Sequence, residues 1–253
     1  MNYDEIKANL NLYAVLKNLE ELVVYDSEAK ELIKDWDITL QFSIFSGPKA
    51  FITFKDGKCL VEKGKYKGPM LELFFIGVRH FNKMMDGKAI PIPLRGISKI
   101  KFLIKDFKKI TDRLEYYLKP TDDLLKNPDY LELNTRLTLS TALFAAKELA
   151  TIDPLGKIIS AGMRQGNILL KILPEGPSAY LKIGKDKIEA GRGEIEKPMA
   201  EMIIKDVKTA NDFFNMKEDT FSLIGLGKVL VKGQIPMLDS MGLIIDRIPL
   251  YLK

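Results

Sequence analysis

The sequence predicts an α+β protein built from two tandem copies of a five-stranded sheet with helices packed on it. The chain has 253 residues, of which 46% are hydrophobic, so it is long enough for one or two domains with real cores. Its second half repeats features of its first half. In each half the strand patterns are bunched together, with helical patterns before and after them, which favours α+β over an alternating parallel fold.

The internal repeat is clearest over residues 47–75, which contain eight identities with residues 176–204 at an offset of 129. The matching pairs include Gly47-Pro48 with Gly176-Pro177 and Pro69-Met70 with Pro198-Met199. Self-similarity at a fixed offset indicates duplicated structural units.

The repeat continues to the end of each half. Gly87-Lys88 recurs as Gly227-Lys228 after 11 additional residues in the second copy, and Asp112-Arg113 recurs as Asp246-Arg247. These matches predict a first domain over residues 1–119 and a second over residues 129–253. Residues 120–128, with a proline at each end, are the predicted linker.

The first copy opens with two helical patterns, Asp4–Val24 and Glu28–Trp36, and Ser27 is the expected N-cap of the second. Alternating apolar residues then predict four strands: Ile38–Phe45, Ala50–Phe54, Lys58–Glu62 and Met70–Ile76. Asp56-Gly57 is a hairpin turn signal between the second and third. A short helix, a fifth strand after Lys88 and a terminal helix complete the copy. Pro91 and Pro93 suit an edge or bulged fifth strand.

The second copy follows the same order. A helix over Asp129–Ala150 precedes one that begins at Pro154, with Asp153 as its N-cap. The predicted strands are Asn167–Leu173, Ala179–Ile183, Lys187–Ala190 and Met199–Ile204, and a fifth starts after Lys228.

Charge is unevenly distributed along the chain. The net charge is +5, but residues 49–119 carry 17 basic and seven acidic side chains, an excess of ten. Such a stretch is typical of a surface that meets anionic membranes, or of a lysine-rich solvated face balanced by the acidic N-terminal helices. Nucleic acid is not an expected partner, because the basic residues do not alternate with aromatics in a recognition pattern.

Several functional classes are excluded by residue counts. One cysteine and one histidine cannot form a disulfide framework or a zinc site built on thiolates or paired imidazoles, so no metal or cofactor is expected. No apolar run is long enough to span a membrane, and the acidic start is unlike a signal peptide, so we expect a soluble, cytoplasmic protein.

The fourth and fifth strands and the terminal helix suggest an apolar ligand site. Side chains alternate along a strand, so Glu201 on one face leaves the neighbouring apolar residues on the other. Methionine suits a pocket for varied apolar ligands, and equally an imperfectly filled core. The candidate ligand-binding residues of the second copy are Ala200, Met202, Ile204, Val229, Val231, Met237, Met241, Ile244 and Ile245, and those of the first are Leu71, Leu73 and Phe75.

Residues 227–233, Gly-Lys-Val-Leu-Val-Lys-Gly, followed by Met241-Gly242-Leu243, resemble the last strand and final helix of the sterol carrier protein type 2 domain. Gly193-x-x-x-x-Pro198 before an apolar strand also fits. The resemblance covers residues 129–253 and extends through the repeat to 1–119. It implies an α+β domain that encloses an apolar tunnel for fatty acyl chains, sterols or similar lipids, and that carries lipid without catalysing a reaction.

Three functions therefore remain open. The first is a non-catalytic intracellular lipid-binding or lipid-transfer protein, which would contact anionic membrane through residues 49–119. The second is an accessory or assembly module that uses the fold without a ligand. The third is an enzyme acting on an acyl or lipid substrate, with His80 or a carboxylate as its base. The aligned carboxylates Glu72 and Glu201 are best explained as outward strand positions. The oligomeric state is not predicted.

Overall fold

A computed structural model describes residues 2–252, and the chain divides into two compact units. Unit 1 comprises residues 2–116 with residue 252, and unit 2 comprises residues 117–251. Each unit contains a five-stranded mixed sheet with helices packed on it, which confirms the predicted α+β fold. The domain limits taken from the repeat remain a prediction, and their outer ends, residues 1 and 253, lie outside the described residues.

Unit 1 begins with a helical run that is not uniformly α-helical. The predicted helix Asp4–Val24 consists of α1, a π-helical segment Asn11–Val15, a 3-10 turn Leu16–Asn18, and α2. The elements of this unit are α1 (Tyr3–Leu10), α2 (Leu19–Tyr25), α3 (Ser27–Ile33), β1 (Ile38–Ile44), β2 (Lys49–Lys55), β3 (Lys58–Lys63), β4 (Leu71–Phe75), α4 (Val78–Met85), β5 (Ile92–Arg95), α5 (Ile100–Phe102) and α6 (Lys108–Leu118), whose last residues cross into unit 2.

Sheet 1 has the strand order β3-β2-β1-β4-β5, and β1 and β4 form its parallel pair. The chain leaves β3 at one edge and must cross to the far side of β1. Gln41 on β1 holds this crossing: its side-chain amide donates to the carbonyl of Gly64 at 3.1 Å and accepts from the N–H of Tyr66 at 2.7 Å. The carbonyl of Gly64 and the N–H of Tyr66 are therefore satisfied within the crossing segment.

Unit 2 has the same order of strands as unit 1. Its elements are α7 (Pro128–Ile152), α8 (Pro154–Ala161), β6 (Gly166–Ile172), β7 (Ser178–Ile183), β8 (Ile188–Arg192), β9 (Ala200–Ile204), α9 (Val207–Phe214), α10 (Thr220–Gly225), β10 (Val229–Gly233) and α11 (Ile235–Ile245). The single helix α7 is in place of the α1–α2 run, the single helix α11 follows the last strand, and one helix is added. The added element, α10, lies in the 11 residues by which the second copy exceeds the first.

Sheet 2 repeats the topology of sheet 1. Its order is β8-β7-β6-β9-β10, with β6 and β9 as the parallel pair and every other neighbouring pair antiparallel. The fifth strand is at an edge in both sheets. In sheet 1 this position accommodates Pro93, and the register of β4 and β5 shifts between Glu72 and Leu73, as expected for prolines in a fifth strand.

An ion pair occupies the same place in both units. In unit 2, Arg247 donates from Nε to Oδ2 of Asp153 at 2.6 Å and from Nη2 to Oδ1 at 2.9 Å. In unit 1, Arg113 donates from Nε to Oδ1 of Asp26 at 3.2 Å. In each unit, the arginine of the repeated Asp-Arg motif therefore links the C-terminal part of the unit to the start of an earlier helix.

The same aspartates cap the helices that follow them. Asp153 is the N-cap of α8, as predicted, and accepts the N–H of Gly156 at 2.7 Å. The prediction of Ser27 as N-cap was wrong, because Asp26 caps α3 by accepting the N–H of Ala29 at 2.7 Å. A carboxylate can accept from both the helix N–H and the Arg113 guanidinium, which a serine hydroxyl cannot do as well.

Candidate functional site

The predicted ligand-binding residues of unit 2 lie on one face of sheet 2. In β9, Ala200, Met202 and Ile204 are buried while Glu201 and Ile203 on the other face are half-buried. Val231 is paired with Met202 and Val229 with Ile204, so these side chains continue the same apolar face onto β10. The alternation that predicted this face is present in the structure.

Helix α11 packs against β9, α7 and α8. Its buried residues are Met237, Leu238, Met241 and Ile244, which recur at the spacing of one helix face. Ile245 is half-buried. We call the apolar layer formed by the β9–β10 face and this buried face of α11 the methionine layer, because Met202, Met237 and Met241 belong to it.

Other buried apolar residues, which the sequence did not predict, lie in or beside the methionine layer. Leu170 on β6 pairs in register with Met202, so it lies on the same face, and it is buried. Leu238 on α11 and Leu223 on α10 are also buried. The inward face of β6 could not be predicted from the unbroken apolar run Ile168-Leu169-Leu170, because a central strand that is buried on both sides shows no alternation.

Water has almost no access to this layer. Of the nine predicted ligand-binding residues of unit 2, seven are exposed by 8% or less, and the other two, Val231 and Ile245, are half-buried. A long apolar ligand could enter between β9 and α11 only if side chains or the helix moved. Methionine side chains adapt most readily to such a change, because they are unbranched and flexible.

In unit 1 the corresponding face is filled by aromatic rings. Leu71, Leu73 and Phe75 of β4 are buried, and Phe75 stacks with Phe42 at 6.3 Å between ring centroids. Phe81 of α4 meets Phe75 edge-on at 5.1 Å. Rings packed in this way are less adaptable than methionines, so the two units differ in the interior that the shared fold encloses.

His80 is held in a structural role. Its Nδ1 accepts the N–H of Ile76 at 3.2 Å, so the proton is on Nε2, which donates to the carbonyl of Ile90 at 2.9 Å. Both ring nitrogens are thus engaged with the backbone. The ring borders an open groove of about 380 Å³ lined by Ile76, Gly77, Arg79, His80 and Lys83. This geometry disfavours His80 as a general base, which needs a free acceptor nitrogen.

The two aligned carboxylates face away from the apolar layers. Glu72 accepts a hydrogen bond from the Ser43 hydroxyl at 2.7 Å and lies 3.5 Å from Nε of Arg95. Glu201 is on the face of β9 opposite Met202. Neither carboxylate shares a site with the apolar residues, and residues 2–252 contain no cluster of three or more His, Cys, Asp or Glu suited to a metal ion.

Comparisons with solved structures find partial likenesses. Sterol carrier protein 2 from Yarrowia lipolytica, in its apo form, is 20% identical with a TM-score of 0.32, over 41% of this chain and 92% of that chain. The palmitated SCP2L2 of Aedes aegypti is 15% identical with a TM-score of 0.30, over 41% of this chain and 90% of that chain. The sec-alkylsulfatase Pisa1 of Pseudomonas sp. is 12% identical with a TM-score of 0.26, over 58% of this chain and 29% of that chain.

No protein-family model matches the chain, and no curated protein matches it. At such low identities and TM-scores, the structural likenesses carry no argument about function. The chain is an α+β protein with sterol-carrier-like structural neighbours. Within the described residues, no helix is both long and apolar enough to cross a membrane.

Proposed function

We propose that this protein is a tandem of two sterol-carrier-like domains that binds and transfers an apolar lipid, fatty acyl or sterol-like, without catalysing a reaction. The tandem arrangement is supported by the sequence repeat and by the common strand order of the two sheets. It is also supported by the equivalent pairs Asp26–Arg113 in unit 1 and Asp153–Arg247 in unit 2.

The methionine layer of unit 2 is the observation that carries the proposal. It is a buried apolar layer between the sheet and the terminal helix, and its methionine side chains can adapt to an inserted lipid chain. Each methylene of a lipid chain transferred there from water would contribute about 0.8 kcal/mol. Leu71, Leu73 and Phe75 would form the corresponding wall in unit 1, where the packed rings leave a ligand less freedom.

The first experiment is extraction of the natively purified protein followed by lipid mass spectrometry. A stoichiometric acyl or sterol-like lipid would support the proposal. A protein that is lipid-free and binds no fluorescent fatty acid would refute it.

A pair of variants tests the place of binding. Met241→Trp adds bulk inside the methionine layer and should weaken fluorescent fatty acid binding at least tenfold, about 1.4 kcal/mol, within the cost of overpacking a core. Met216→Trp is the matched control, because Met216 is 67% exposed. Equal binding by both variants, with unchanged thermal unfolding, would exclude this layer as the site.

The closed interior favours a second candidate, an accessory or assembly module that uses the fold without a ligand. The observation behind it is the near-complete exclusion of water from the predicted ligand-binding residues in both units. A lipid-free protein that forms a stable complex with a second copy or another protein would favour this function over the first.

A further inference from the structure

A segment of unit 1, residues 88–109, combines positive charge with exposed aliphatic side chains; we call it the basic strip. It contains one acidic residue, Asp106, and seven basic residues, all exposed: Lys88, Arg95, Lys99, Lys101, Lys105, Lys108 and Lys109. More than half of the excess positive charge of residues 49–119 therefore lies in these 22 residues.

Most of this charge is not neutralised within the protein. Arg95, Lys108 and Lys109 form ion pairs with Glu72, Asp112 and Asp106. The other four, Lys88, Lys99, Lys101 and Lys105, form no ion pair with any residue in the described part of the chain. These ammonium groups are available to an anionic partner.

The exposed aliphatic residues lie among the charges. Ile90 is 81% exposed, Ile104 67% and Ile97 59%. Ile92 and Leu94 of the edge strand β5 are also exposed. Soluble surfaces tolerate single apolar residues, but five in fifteen positions indicate an interaction surface.

The helical segment after β5, residues 97–118, has an exposed side and a buried side. It consists of a 3-10 turn (Ile97–Lys99), α5, a π-helical stretch (Leu103–Phe107) and α6. Along it, Ile97, Lys101, Ile104 and Lys108 are all exposed. Phe107 and Ile110, on the other side, are buried. The strip therefore presents a face that is both cationic and aliphatic.

We propose that the basic strip docks unit 1 on an anionic lipid bilayer, with its lysines at the headgroups and Ile97 and Ile104 in the outer hydrocarbon. The inference rests on the proposed function, for which it names the membrane contact of the carrier. Lysines attract anionic headgroups, and aliphatic side chains partition into the acyl boundary. Nucleic acid would use the charge but not the aliphatic residues, and the strip exposes no aromatic side chain for base stacking.

The first test compares two triple variants of the full chain on phosphatidylcholine vesicles with and without phosphatidylglycerol. Each lysine near an anionic surface contributes about 1 kcal/mol, so Lys99→Gln, Lys101→Gln and Lys105→Gln together should weaken binding to anionic vesicles by roughly a hundredfold. The matched control is Lys55→Gln, Lys58→Gln and Lys67→Gln, three exposed lysines of the same unit outside the strip. Equal loss in both variants would overturn the assignment.

The second test asks whether the aliphatic residues enter the bilayer. In a Cys59→Ala background, which removes the native thiol, an environment-sensitive dye is attached through Ile104→Cys or through Leu60→Cys. Leu60 is 48% exposed on β3 and serves as the control site. A blue shift on anionic vesicles at position 104 alone supports the proposal. No shift at position 104, or the same shift at position 60, overturns it.

Fatty acid binding without vesicles separates this inference from the proposed function. The strip triple should keep wild-type affinity for fluorescent fatty acid. A wild type that binds anionic vesicles through the strip but holds no fatty acid would refute the carrier function and leave the docking intact. A protein that binds fatty acid and ignores vesicle charge, or whose strip triple loses affinity for duplex DNA rather than for vesicles, would refute the docking.

Discussion

Buried Asp153 shows how one residue joins three segments of unit 2. It caps α8, pairs with Arg247 and accepts the hydroxyl of Tyr251 at 2.6 Å. Burial alone would raise its pKa, but the hydrogen bonds from Arg247, Tyr251 and the Gly156 N–H outweigh that effect and lower the pKa to about 2. Burial and the same hydrogen bond raise the pKa of Tyr251. The carboxylate therefore stays charged in the folded protein.

Stability should depend on pH through this residue. Because the folded pKa of Asp153 lies below its usual value of 3.8, its charged form stabilises the fold above about pH 5. This contribution, about 2 kcal/mol, is lost as the pH falls from about 5 towards 2.

Arg247→Met should lower the free energy of unfolding by roughly 3 kcal/mol at pH 7, because it leaves a buried carboxylate without its cation. The difference from wild type should shrink below about pH 4, where the carboxyl group becomes protonated in the variant. Chemical denaturation across this pH range measures both quantities. A difference that is the same at pH 7 and pH 3 would contradict the assignment to Asp153.

Among the elements, the fifth strands end in the same way in both units. Gly96 and Gly233 have φ values of +69° and +78°, and a Cβ atom on either would lie 2.6 Å or 2.1 Å from a backbone carbonyl oxygen, that of Met70 or Met199. These carbonyls belong to the Pro-Met pairs of the repeat. A glycine is therefore required where the chain turns from the edge strand into the terminal helical segment.

Gly233→Ala should destabilise unit 2 by more than the strain of its positive φ alone, because the added methyl group would also clash with the backbone of Met199. Gly57→Ala is the control, since Gly57 has a φ of +67° but no atom within 4 Å of an added Cβ. We expect about 1 kcal/mol for Gly57→Ala and at least twice that for Gly233→Ala in the free energy of unfolding. Equal values would show that β10 adjusts to the clash.

For the whole molecule, the two units share a strand order but differ in their interiors and surfaces. Unit 2 has the methionine layer and the added α10, whereas unit 1 has the aromatic interior and the basic strip. This difference is consistent with a division of labour, in which unit 2 holds the ligand and unit 1 contacts the membrane, as we propose.

If each unit is stabilised by its own Asp–Arg pair, the two equivalent substitutions should act locally. Arg113→Met should accelerate amide hydrogen exchange mainly within residues 2–116, and Arg247→Met mainly within residues 117–251. Exchange followed by mass spectrometry resolves the two regions. Acceleration of both regions by either substitution would show that the units unfold as one.

Much of this architecture follows from the sequence. The repeat predicted two equivalent sheets, and the alternation of β4 and β9 predicted the buried faces that contain Leu73 and Met202, because side-chain direction along a strand is a local property. The Asp56-Gly57 signal predicted the β2–β3 hairpin because turn conformation is also a local property, and both residues adopt positive φ.

Tertiary structure decided what local patterns cannot encode. Asp26, which caps α3, also pairs with Arg113, 87 residues later, and no local pattern shows such a contact. Both ring nitrogens of His80 are hydrogen-bonded because Ile76, directly after β4, and Ile90, before β5, lie on either side of the ring. Likewise the exclusion of water from the methionine layer depends on how α11 fits against β9, since packing density arises between elements distant in sequence.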